Sequence, residues 1–371
     1  MGEHRAIVFS NLETLWQERL VQSLHPLRLK ASLHETIWGG RRLECDGWKQ
    51  LPHGNIAIGE SWETEITSVV QNEPYQGRTL ESLVEELGSR LLGERVLALY
   101  GLRFPLLAKF LDANAKLSVQ VHTDDTYARL HEQGKLGKTE FWYILDAAPD
   151  ASIIHGFKAA TSREEVQQAI QDVTLEKLLH VVSVSAGDII FIPAGTVHAV
   201  GEGVLLYELQ EYSDITYRIY DYDRLTTAGT RRELHLERSL DVAHYDCSPR
   251  IKVQPLLLYD GEGFQDRCLA ACQYFVTCEL VLNRSSVFYD YMKHKTQGSC
   301  TILSSLGAEV VVRYGAALEY GERLMKGQTM VIPAELGTYC IEGNGDLLYS
   351  YVPDPDDQTW RAWEMKNGIP V

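Results

Sequence analysis

Gly187-Asp-Ile-Ile-Phe-Ile-Pro-Ala, followed at 205–207 by Leu-Leu-Tyr, is the stretch that most restricts the fold. A second copy occurs 140 residues later, as Gly327-Gln-Thr-Met-Val-Ile-Pro-Ala with Leu-Leu-Tyr at 347–349. In each copy a glycine opens a run of β-branched and apolar residues, Ile-Pro-Ala ends it, and a second apolar run follows a loop. This pattern predicts a β-hairpin that ends at the proline, where no further ladder hydrogen bond is needed. The chain therefore contains one structural unit twice.

Short apolar runs separated by turn residues dominate the rest of the chain. Clear examples lie at 117–122, 140–145, 279–282 and 309–313. Many short strands of this kind are typical of β-sandwiches and β-barrels. The sequence therefore predicts a mainly β protein.

Apolar residues at helical spacing interrupt the strands in the first half of the chain. They predict helices from Thr79 to about Val96, from Asp124 to about Gln133 and from Ser162 to about His180. Ser162 with Glu165 three positions later forms a capping box. After about Pro255 the sequence predicts no comparable helix.

The length of 371 residues favours two domains, because single hydrophobic cores stop growing at roughly 250–300 residues. The composition, 45% hydrophobic and 23% charged, is that of a globular protein. We place the boundary near Cys247–Gln254, where a Ser-Pro pair precedes a new series of strands. The predicted division is an N-terminal extension at 1–25, a domain with helical insertions at 26–250 and a second domain at 251–371.

The charge of the chain restricts its partners. A formal net charge of −16 and a sequence pI near 5.2 argue against a nucleic-acid or anionic-membrane partner. The opening segment does not have the pattern of a signal peptide, and no run of roughly 18 apolar residues predicts a membrane span. The seven cysteines form no Cys-x-x-Cys pair, which indicates reduced thiols in a cytoplasmic protein.

Four polar side chains are candidate metal ligands. Gln120 and His122 stand two apart in a predicted strand, so their side chains point to the same face. Glu140 opens the next apolar run, and His198 follows the proline turn of the first repeat. Two imidazoles, a carboxylate and an amide oxygen suit Zn²⁺, can hold other divalent metals, and leave positions open for substrate oxygens. Histidine-bearing strands beside such a unit are typical of cupins. We therefore expect two jelly-roll (cupin) β-sandwich domains, with a few helices inserted in and flanking the first.

The second repeat has Tyr339 where the first has His198, so we expect its domain to be non-catalytic. Downstream of His198, strand alternation would turn Asp214, Thr216 and Arg218 to one side. Inside a barrel these groups would need polar partners, such as a substrate or each other. The alternative interpretation is a surface strand with a solvated ion pair.

Six ordered motifs point to one family. They are His34-Glu-Thr-Ile-Trp38-Gly-Gly40, Gly59-Glu-Ser-Trp62-Glu63, Phe104-Pro-Leu-Leu-Ala-Lys109-Phe-Leu-Asp-Ala-Asn, Leu117-Ser-Val-Gln-Val-His122, Ile192-Pro-Ala-Gly-Thr-Val-His198 and Ser213-Asp-Ile-Thr-Tyr-Arg218. In these motifs the chain resembles the type I mannose-6-phosphate isomerases in their short bacterial form. The resemblance covers nearly all of the chain after about Pro26.

The resemblance implies a role for eight residues. In that family a glutamine, two histidines and a glutamate bind zinc, which implies a site formed by Gln120, His122, Glu140 and His198. It also implies that Arg218 is the active-site arginine with Asp214 beside it, and that Lys109 and Lys138 belong to the substrate pocket.

The implied reaction interconverts mannose 6-phosphate and fructose 6-phosphate through a cis-enediolate. The metal and Arg218 would stabilise the developing oxyanion, and Lys109 and Lys138 would bind the phosphate. Lys138, Asp214 and a metal-bound hydroxide remain alternatives for the base that removes the C2 proton. The chain departs from the family pattern at Thr123, where proline is common, and at Gly137, where longer members have histidine.

Two other functions remain open. Two histidines and a carboxylate also form the ligand set of non-haem iron enzymes, so a bicupin oxygenase or decarboxylase is an alternative enzyme. Lys109, Lys138 and Arg218 weigh against it. The other alternative is a non-catalytic sugar-binding cupin. The sequence leaves open whether the protein is a monomer or a homodimer.

Overall fold

The structure of the protein is a computed structural model that describes residues 24–226, 228–247, 251–288, 298–307 and 309–369. Strands make up 39% and helices 18% of the chain, which confirms the predicted mainly β class. The predicted N-terminal extension lies almost entirely outside the described residues. None of the helices in the described ranges combines the length and the apolar character needed to cross a membrane.

Short strands carry the architecture. In chain order, those within the described ranges are β1 (Leu27–Arg28), β2 (Ser32–Gly40), β3 (Ile58–Trp62), β4 (Leu106–Ala113), β5 (Val119–Val121), β6 (Glu140–Ala147), β7 (Ser152–Phe157), β8 (Leu179–Ser183), β9 (Ile189–Ile192), β10 (His198–Val200), β11 (Val204–Glu211), β12 (Tyr217–Tyr220), β13 (Leu256–Gly261), β14 (Phe264–Ala271), β15 (Val276–Phe288), β16 (Thr301–Ser305), β17 (Val310–Tyr314), β18 (Tyr320–Leu324), β19 (Thr329–Ile332) and β20 (Tyr339–Tyr351).

Helices are short and lie mostly in the first half. They are α1 (Arg42–Cys45), α2 (Leu80–Leu87), α3 (Ser89–Leu92), α4 (Glu94–Tyr100), α5 (Asp125–His131), α6 (Arg163–Gln171), α7 (Leu236–Val242) and α8 (Gln358–Asn367), with a 3₁₀ turn at Leu175–Lys177.

Two sheets from the first half pack face to face. The six-stranded sheet has the order β2-β3-β4-β11-β6-β9 and the five-stranded sheet has the order β12-β5-β10-β7-β8. Their inner faces share one apolar core, which includes Trp142 and Leu206 from the first sheet and Ile153 and Val200 from the second. This pair of sheets is a β-sandwich in which inward-facing residues of both sheets meet.

The other faces of this sandwich are also covered. Helices α5, α6 and α7 pack on the five-stranded sheet over a core that includes Ala128, Val166 and Leu240. The outer face of the six-stranded sheet joins one large core with α2 to α4 and a nine-stranded sheet, whose main order is β1-β19-β16-β20-β15-β14-β13. Strand β1 pairs with β19, so Leu27 and Arg28 belong to a sheet formed otherwise by the second half. We keep the division at residue 250 as a proposal.

The predicted hairpin of the repeated unit is wrong in both copies, and for the same reason. Strand β6 lies between β9 and β11, and strand β16 lies between β19 and β20. In each copy an earlier strand inserts between the two strands that were predicted to form the hairpin. Ile192 pairs with Glu140 in the first copy, and Ile332 pairs with Thr301 in the second. The two halves therefore share one strand arrangement.

Two predicted helices are shorter than the sequence indicated. The segment predicted as one helix from Thr79 is broken at Gly88 and Gly93, whose φ angles are +50° and +93°. The segment predicted to extend to about His180 ends as a helix at Gln171, and β8 begins at Leu179. The apolar residues of these segments keep helical spacing beyond the points where the helices end, so the sequence pattern did not show the breaks.

Two smaller differences from the sequence prediction concern the capping box at Ser162 and the helix content of the second half. Ser162 accepts a hydrogen bond from the Glu165 backbone N–H at 3.2 Å, but the Glu165 carboxylate accepts from Thr161 instead, so half of the box forms. The second half contains α8, which the sequence did not predict. Asp357 caps α8, and its buried face depends largely on Trp360 and Trp363, which gives little apolar periodicity.

Candidate metal centre

A cluster of three buried side chains lies within the first sandwich. One ligand atom each from His122, Glu140 and His198 lies within 4.8 Å of the others, and each residue is at most 1% exposed. Glu140 Oε1 is 3.2 Å from His198 Nε2, and Glu140 Oε2 is 3.7 Å from His122 Nε2. In the described residues this is the one group of histidine, cysteine, aspartate or glutamate that could hold a metal ion.

Strand register brings the cluster together. His198 on β10 lies opposite Gln120 on β5, and Arg218 on β12 lies opposite Gln120 on its other side. These residues belong to the five-stranded sheet, whereas Glu140 begins β6 in the six-stranded sheet. His122 follows β5 by one residue. The site therefore spans the sandwich, with the carboxylate on one sheet and the imidazoles and amide at the other.

Each imidazole is oriented by a backbone carbonyl. His122 Nδ1 contacts the Ile215 carbonyl oxygen at 2.9 Å, and His198 Nδ1 contacts the Thr196 carbonyl oxygen at 2.8 Å. When Nδ1 donates to a carbonyl, the proton-free Nε2 is the acceptor nitrogen. Both Nε2 atoms face Glu140, which is the orientation that metal coordination requires.

Burial keeps both imidazoles neutral. Burial and the neighbouring Lys138 cation hold the pKa of His122 well below its ordinary value. Burial also lowers the pKa of His198 to about 3, although the hydrogen bond to Thr196 opposes the shift. Neutral imidazole is the form that binds metals, so neither histidine needs to lose a proton first.

Glu140 and Gln120 complete a donor set that fits a divalent cation. Burial raises the pKa of Glu140 to about 7, and the Lys138 cation opposes that shift. Both carboxylate oxygens are buried, so a cation between them and the imidazoles would compensate their desolvation. The Gln120 amide nitrogen is 3.4 Å from His198 Nε2, and a flip of the amide places its oxygen there instead.

Both predicted pocket lysines are buried and already paired with carboxylates. Lys138 Nζ is 2.8 Å from Glu140 Oε2 and 3.1 Å from His122 Nε2. Lys109 Nζ is 3.1 Å from Glu208 and 3.5 Å from Glu60. Burial opposes the charged form of Lys109, but Glu208 and Glu60 outweigh burial and raise its pKa. Neither lysine presents an uncompensated charge to a phosphate.

Arg218 and Asp214 line the same cavity but do not pair with each other. Strand β12 begins only at Tyr217, so Asp214 precedes it in a loop. The Asp214 side chain is 62% exposed and pairs with Lys135 at 2.8 Å. Arg218 donates to the Glu233 carbonyl at 2.9 Å and to Ser118 Oγ at 3.3 Å. All three residues predicted to face one side line the cavity, but within the described residues Asp214 and Arg218 form neither the buried pair nor the solvated ion pair that the sequence left open.

The cavity beside the cluster has a volume of about 280 Å³ and contains residues that sequence reasoning missed. Glu208 is a buried charge that directly follows the apolar residues 204–207 of β11, and that contrast in the sequence could have indicated it. Glu60 and Trp62 belong to the family motif at residues 59–63, but the sequence assigned neither of them a role. Nothing in the sequence around Arg232 indicated a role at this site. These four residues line the cavity together with the predicted Lys109, Gln120, Lys138, Asp214 and Arg218.

Comparison with known proteins agrees with this geometry. Residues 27–139 match the family model of the type I phosphomannose isomerase catalytic domain. The mannose-6-phosphate isomerase ManA of Bacillus subtilis (strain 168) is 39% identical over 332 residues, which cover 88% of this chain and 99% of that protein. The mannose-6-phosphate isomerase of Streptococcus mutans serotype c is 34% identical, with 88% and 98% covered. This chain belongs to the type I phosphomannose isomerase family.

A solved structure in the family supports the assignment. The crystal structure of the mannose 6-phosphate isomerase from Bacillus subtilis has a TM-score of 0.76 and 32% identity, and the match covers 88% of this chain and 99% of that one. The resemblance stated from the motifs is confirmed, and so is the cupin fold class. The family comparison therefore shows that the protein is an enzyme, which the His122–Glu140–His198 cluster alone did not establish.

The structure explains why this family member has Gly137. A Cβ atom at Gly137 would lie 2.5 Å from backbone atoms of Asp124 and Asp125 and 2.8 Å from the Thr123 carbonyl oxygen. Real Cβ atoms do not approach backbone so closely, so no side chain fits in this conformation. The Thr123 carbonyl also accepts from the Lys138 N–H at 2.9 Å. The two departures from the family pattern are therefore in direct backbone contact.

The second half of this family member lacks the ligand types at the corresponding positions. Thr301 pairs with Ile332 as Glu140 pairs with Ile192, so a threonine replaces the carboxylate. Tyr339 replaces His198 in the repeat, as the sequence indicated. Both Thr301 and Tyr339 are buried.

Proposed function

We propose that this protein interconverts mannose 6-phosphate and fructose 6-phosphate through a cis-enediolate, with a divalent metal ion at the buried cluster. The observation that carries the proposal is the His122–Glu140–His198 cluster beside a cavity whose wall also includes Arg218 and Arg232. A cation site next to two guanidinium groups suits a substrate with a hydroxyl-rich end and a phosphate end. The relatives named mannose-6-phosphate isomerase supply the substrate class.

We propose Zn²⁺ as the ion, held by Gln120, His122, Glu140 and His198. Imidazole and carboxylate donors suit zinc, although Mn²⁺, Co²⁺ and Fe²⁺ accept the same donor types. When bound there, a divalent cation stabilises the negative charge that develops on the substrate oxygens of an enediolate. All three cluster side chains are buried, so water would screen their interactions with a cation only weakly.

Charge balance favours Arg218 and Arg232 over the two lysines as the phosphate site. Lys109 and Lys138 are compensated by Glu208, Glu60 and Glu140. No carboxylate of the described residues forms an ion pair with Arg218. Burial and the neighbouring Arg232 lower the pKa of Arg218, which a bound dianion would relieve. This proposal moves the phosphate from the two lysines to the two arginines, and it keeps Lys109 and Lys138 as substrate-pocket residues, since both line the cavity.

Arg232 is held in place by Asp221. Its Nε and Nη2 atoms donate to the two Asp221 oxygens at 2.8 and 2.6 Å, and Arg224 donates to the same carboxylate at 2.6 Å. Burial works against the charged carboxylate, but the bonds from Arg232 and Arg224 keep the pKa of Asp221 below its usual range. Arg232 and Arg224 share the one Asp221 carboxylate and Arg218 has no carboxylate partner among the described residues, so this end of the cavity carries excess positive charge within an acidic protein.

Lys138 is our candidate for proton transfer: its ammonium would donate a proton to a substrate oxygen, and the neutral amine that remains would accept the C2 proton. Lys138 lines the cavity, and its Nζ lies 3.1 Å from His122 Nε2 of the cluster. Asp214 is disfavoured because its carboxylate is mostly exposed and pairs with Lys135. A base must reach the proton that it removes to within hydrogen-bond distance.

Family membership and the charged cavity favour the isomerase over the two alternatives, a bicupin oxygenase or decarboxylase and a non-catalytic sugar-binding cupin. We also propose that residues 26–250 carry the site and that residues 251–371 are non-catalytic. The net charge of −16 supports a small phosphosugar as partner rather than nucleic acid or membrane. Five buried thiols support a cytoplasmic location, namely Cys268, Cys272, Cys278, Cys300 and Cys340.

Activity and metal content must be measured on the same sample. The purified protein is assayed for both directions of the isomerisation, then dialysed against a chelator, assayed again and analysed for metal. We expect about one metal ion per chain, loss of activity with loss of metal, and recovery with Zn²⁺. Oxygen uptake is followed in parallel, because an oxygenase would consume oxygen and an isomerase would not. Full isomerase activity without bound metal would contradict the proposal.

A further inference from the structure

The indole of Trp62 contacts a cation and an anion of the cavity wall at once. Trp62 ends β3 and lies opposite Lys109 of β4. Lys109 Nζ is 4.7 Å from the Trp62 ring centroid, and Trp62 Nε1 donates to Glu60 Oε2 at 2.6 Å. A cation over an aromatic ring is attracted by the ring's quadrupole. One rigid ring therefore restrains both charged groups.

Lys109 depends on such restraint because it is a long, buried side chain. Its side chain is only 8% exposed, and it reaches Glu208 at 3.1 Å and Glu60 at 3.5 Å. Glu60 Oε2 is the oxygen that Trp62 also holds, so the indole fixes one of the two carboxylates that bind the lysine. Ordering a buried lysine has a large entropic cost, which preorganised partners offset.

Trp62 also lines two neighbouring cavities. A second cavity of about 520 Å³ adjoins the catalytic one, and Trp62, Ser213 and Asp214 line both. Lys109 lines only the catalytic cavity, whereas the second cavity is lined largely by apolar side chains such as Leu102 and Leu107. Since the indole lines both cavities and Lys109 lines one of them, we expect a smaller side chain at position 62 to give Lys109 room to move.

We propose that Trp62 is a positioning residue that holds Lys109 and Glu60 at the catalytic cavity and affects turnover through Lys109. The kinetic part of this inference rests on the proposed isomerase function. The structural part does not, since the contact between Lys109 and the indole exists whatever the substrate is.

Two substitutions of Trp62 separate positioning from packing. Trp62→Leu removes the ring and the N–H donor, and we expect kcat/KM for mannose 6-phosphate to fall on the order of 10-fold, mainly through kcat. Trp62→Phe keeps an aromatic face and should recover most of that loss. In a Lys109→Met background, Trp62→Leu should add little, because residues that act through one another are not additive.

Trp48→Leu is the matched control, since Lys326 Nζ lies 4.2 Å from the Trp48 ring centroid and Trp48 does not line the cavity. We expect it to change stability without changing kcat. Independent losses in the Trp62/Lys109 double variant, or an unchanged kcat/KM in Trp62→Leu, would overturn the inference.

A readout that needs no turnover separates this inference from the proposed function. With ¹³C-labelled lysine, the Lys109 side-chain protons, assigned by their absence in Lys109→Met, should be shifted upfield by the indole and lose that shift in Trp62→Leu. An unshifted Lys109 signal in the wild-type protein would overturn the inference. Absence of isomerase activity in a wild-type protein that shows the shift would count against the proposed function alone.

Discussion

His198 Nε2 lies 3.2 Å from Glu140 Oε1, although the two residues belong to different sheets. Trp142, two residues after Glu140, packs edge-on against the His198 ring with centroids 5.5 Å apart, and its Nε1 donates to Glu208 at 3.0 Å. The spacing between the sheets at this point is therefore set by a buried indole. That spacing brings a carboxylate and two imidazoles within reach of one cation.

His198→Ala should remove both metal and activity. The variant loses one imidazole of a buried cluster, and a water in its place is a weaker donor. Losing a group that merely hydrogen-bonds to a metal ligand costs about 10- to 100-fold, so losing the ligand should cost at least about 100-fold in kcat/KM. Metal analysis of the folded, purified variant alongside the kinetic assay provides the measurement.

His155→Asn is the control for this variant. His155 is buried, lies opposite His198 in the register of β7 and β10, and contacts the Phe191 carbonyl at 3.1 Å, but it is not in the cluster. It should lower stability while metal content stays near one ion per chain. Normal metal content in His198→Ala would show that the cluster is not the site.

Arg232→Met should raise KM for mannose 6-phosphate with a smaller effect on kcat. A hydrogen bond to a charged group contributes about 1.5–3 kcal/mol, which corresponds to a change of about 10-fold or more. Arg224→Met is the control, since Arg224 binds the same Asp221 carboxylate but does not line the cavity. Equal KM values for Arg232→Met and the wild type would remove Arg232 from the phosphate site.

Glu211→Gln should make the protein more stable at alkaline pH. Burial and nearby Asp125 raise the pKa of Glu211 well above its ordinary 4.5, although the Thr139 N–H bond opposes the shift. The folded state keeps the proton where the unfolded state has lost it, so unfolding releases a proton. The free energy of unfolding then falls by about 1.4 kcal/mol per pH unit above pH 4.5, up to the folded pKa.

Denaturant titrations of both proteins at a series of pH values measure this difference. The stability gained by Glu211→Gln should grow as the pH rises through that window and then level off. A difference that is independent of pH would mean that Glu211 is ionised in the folded protein.

Gly137→Ala should destabilise the protein and disturb the site. The added Cβ meets backbone on α5 that cannot rotate away, and overpacking of this kind costs about 1–3 kcal/mol. The displaced segment carries Lys138 and Glu140, so metal affinity should fall as well. Thermal unfolding and metal titration measure the two effects. A variant with wild-type stability would show that the 123–125 backbone has room to move.

Local sequence pattern predicted where the candidate ligands lie on their strands, because strand periodicity depends on short-range geometry. Gln120 and His122 were placed on one face by strand periodicity, and they do lie beside the same cluster. Glu140 was expected at the start of a strand, and it begins β6. Asp214 was predicted wrongly as a strand residue, because the loop before β12 has the same apolar alternation as a strand.

The sequence by itself determined the mainly β class, the duplicated unit, and the types of donor atoms that the site offers. Only the tertiary structure decided which strands are neighbours, and therefore that β6 lies between β9 and β11 and that Glu140 meets His198. It also decided that Glu60 and Glu208 compensate Lys109, while Arg232 joins Arg218 at the cavity. The physical reason is that periodicity defines which way a side chain faces, whereas the charge and distance between two side chains depend on strand pairings between distant parts of the chain.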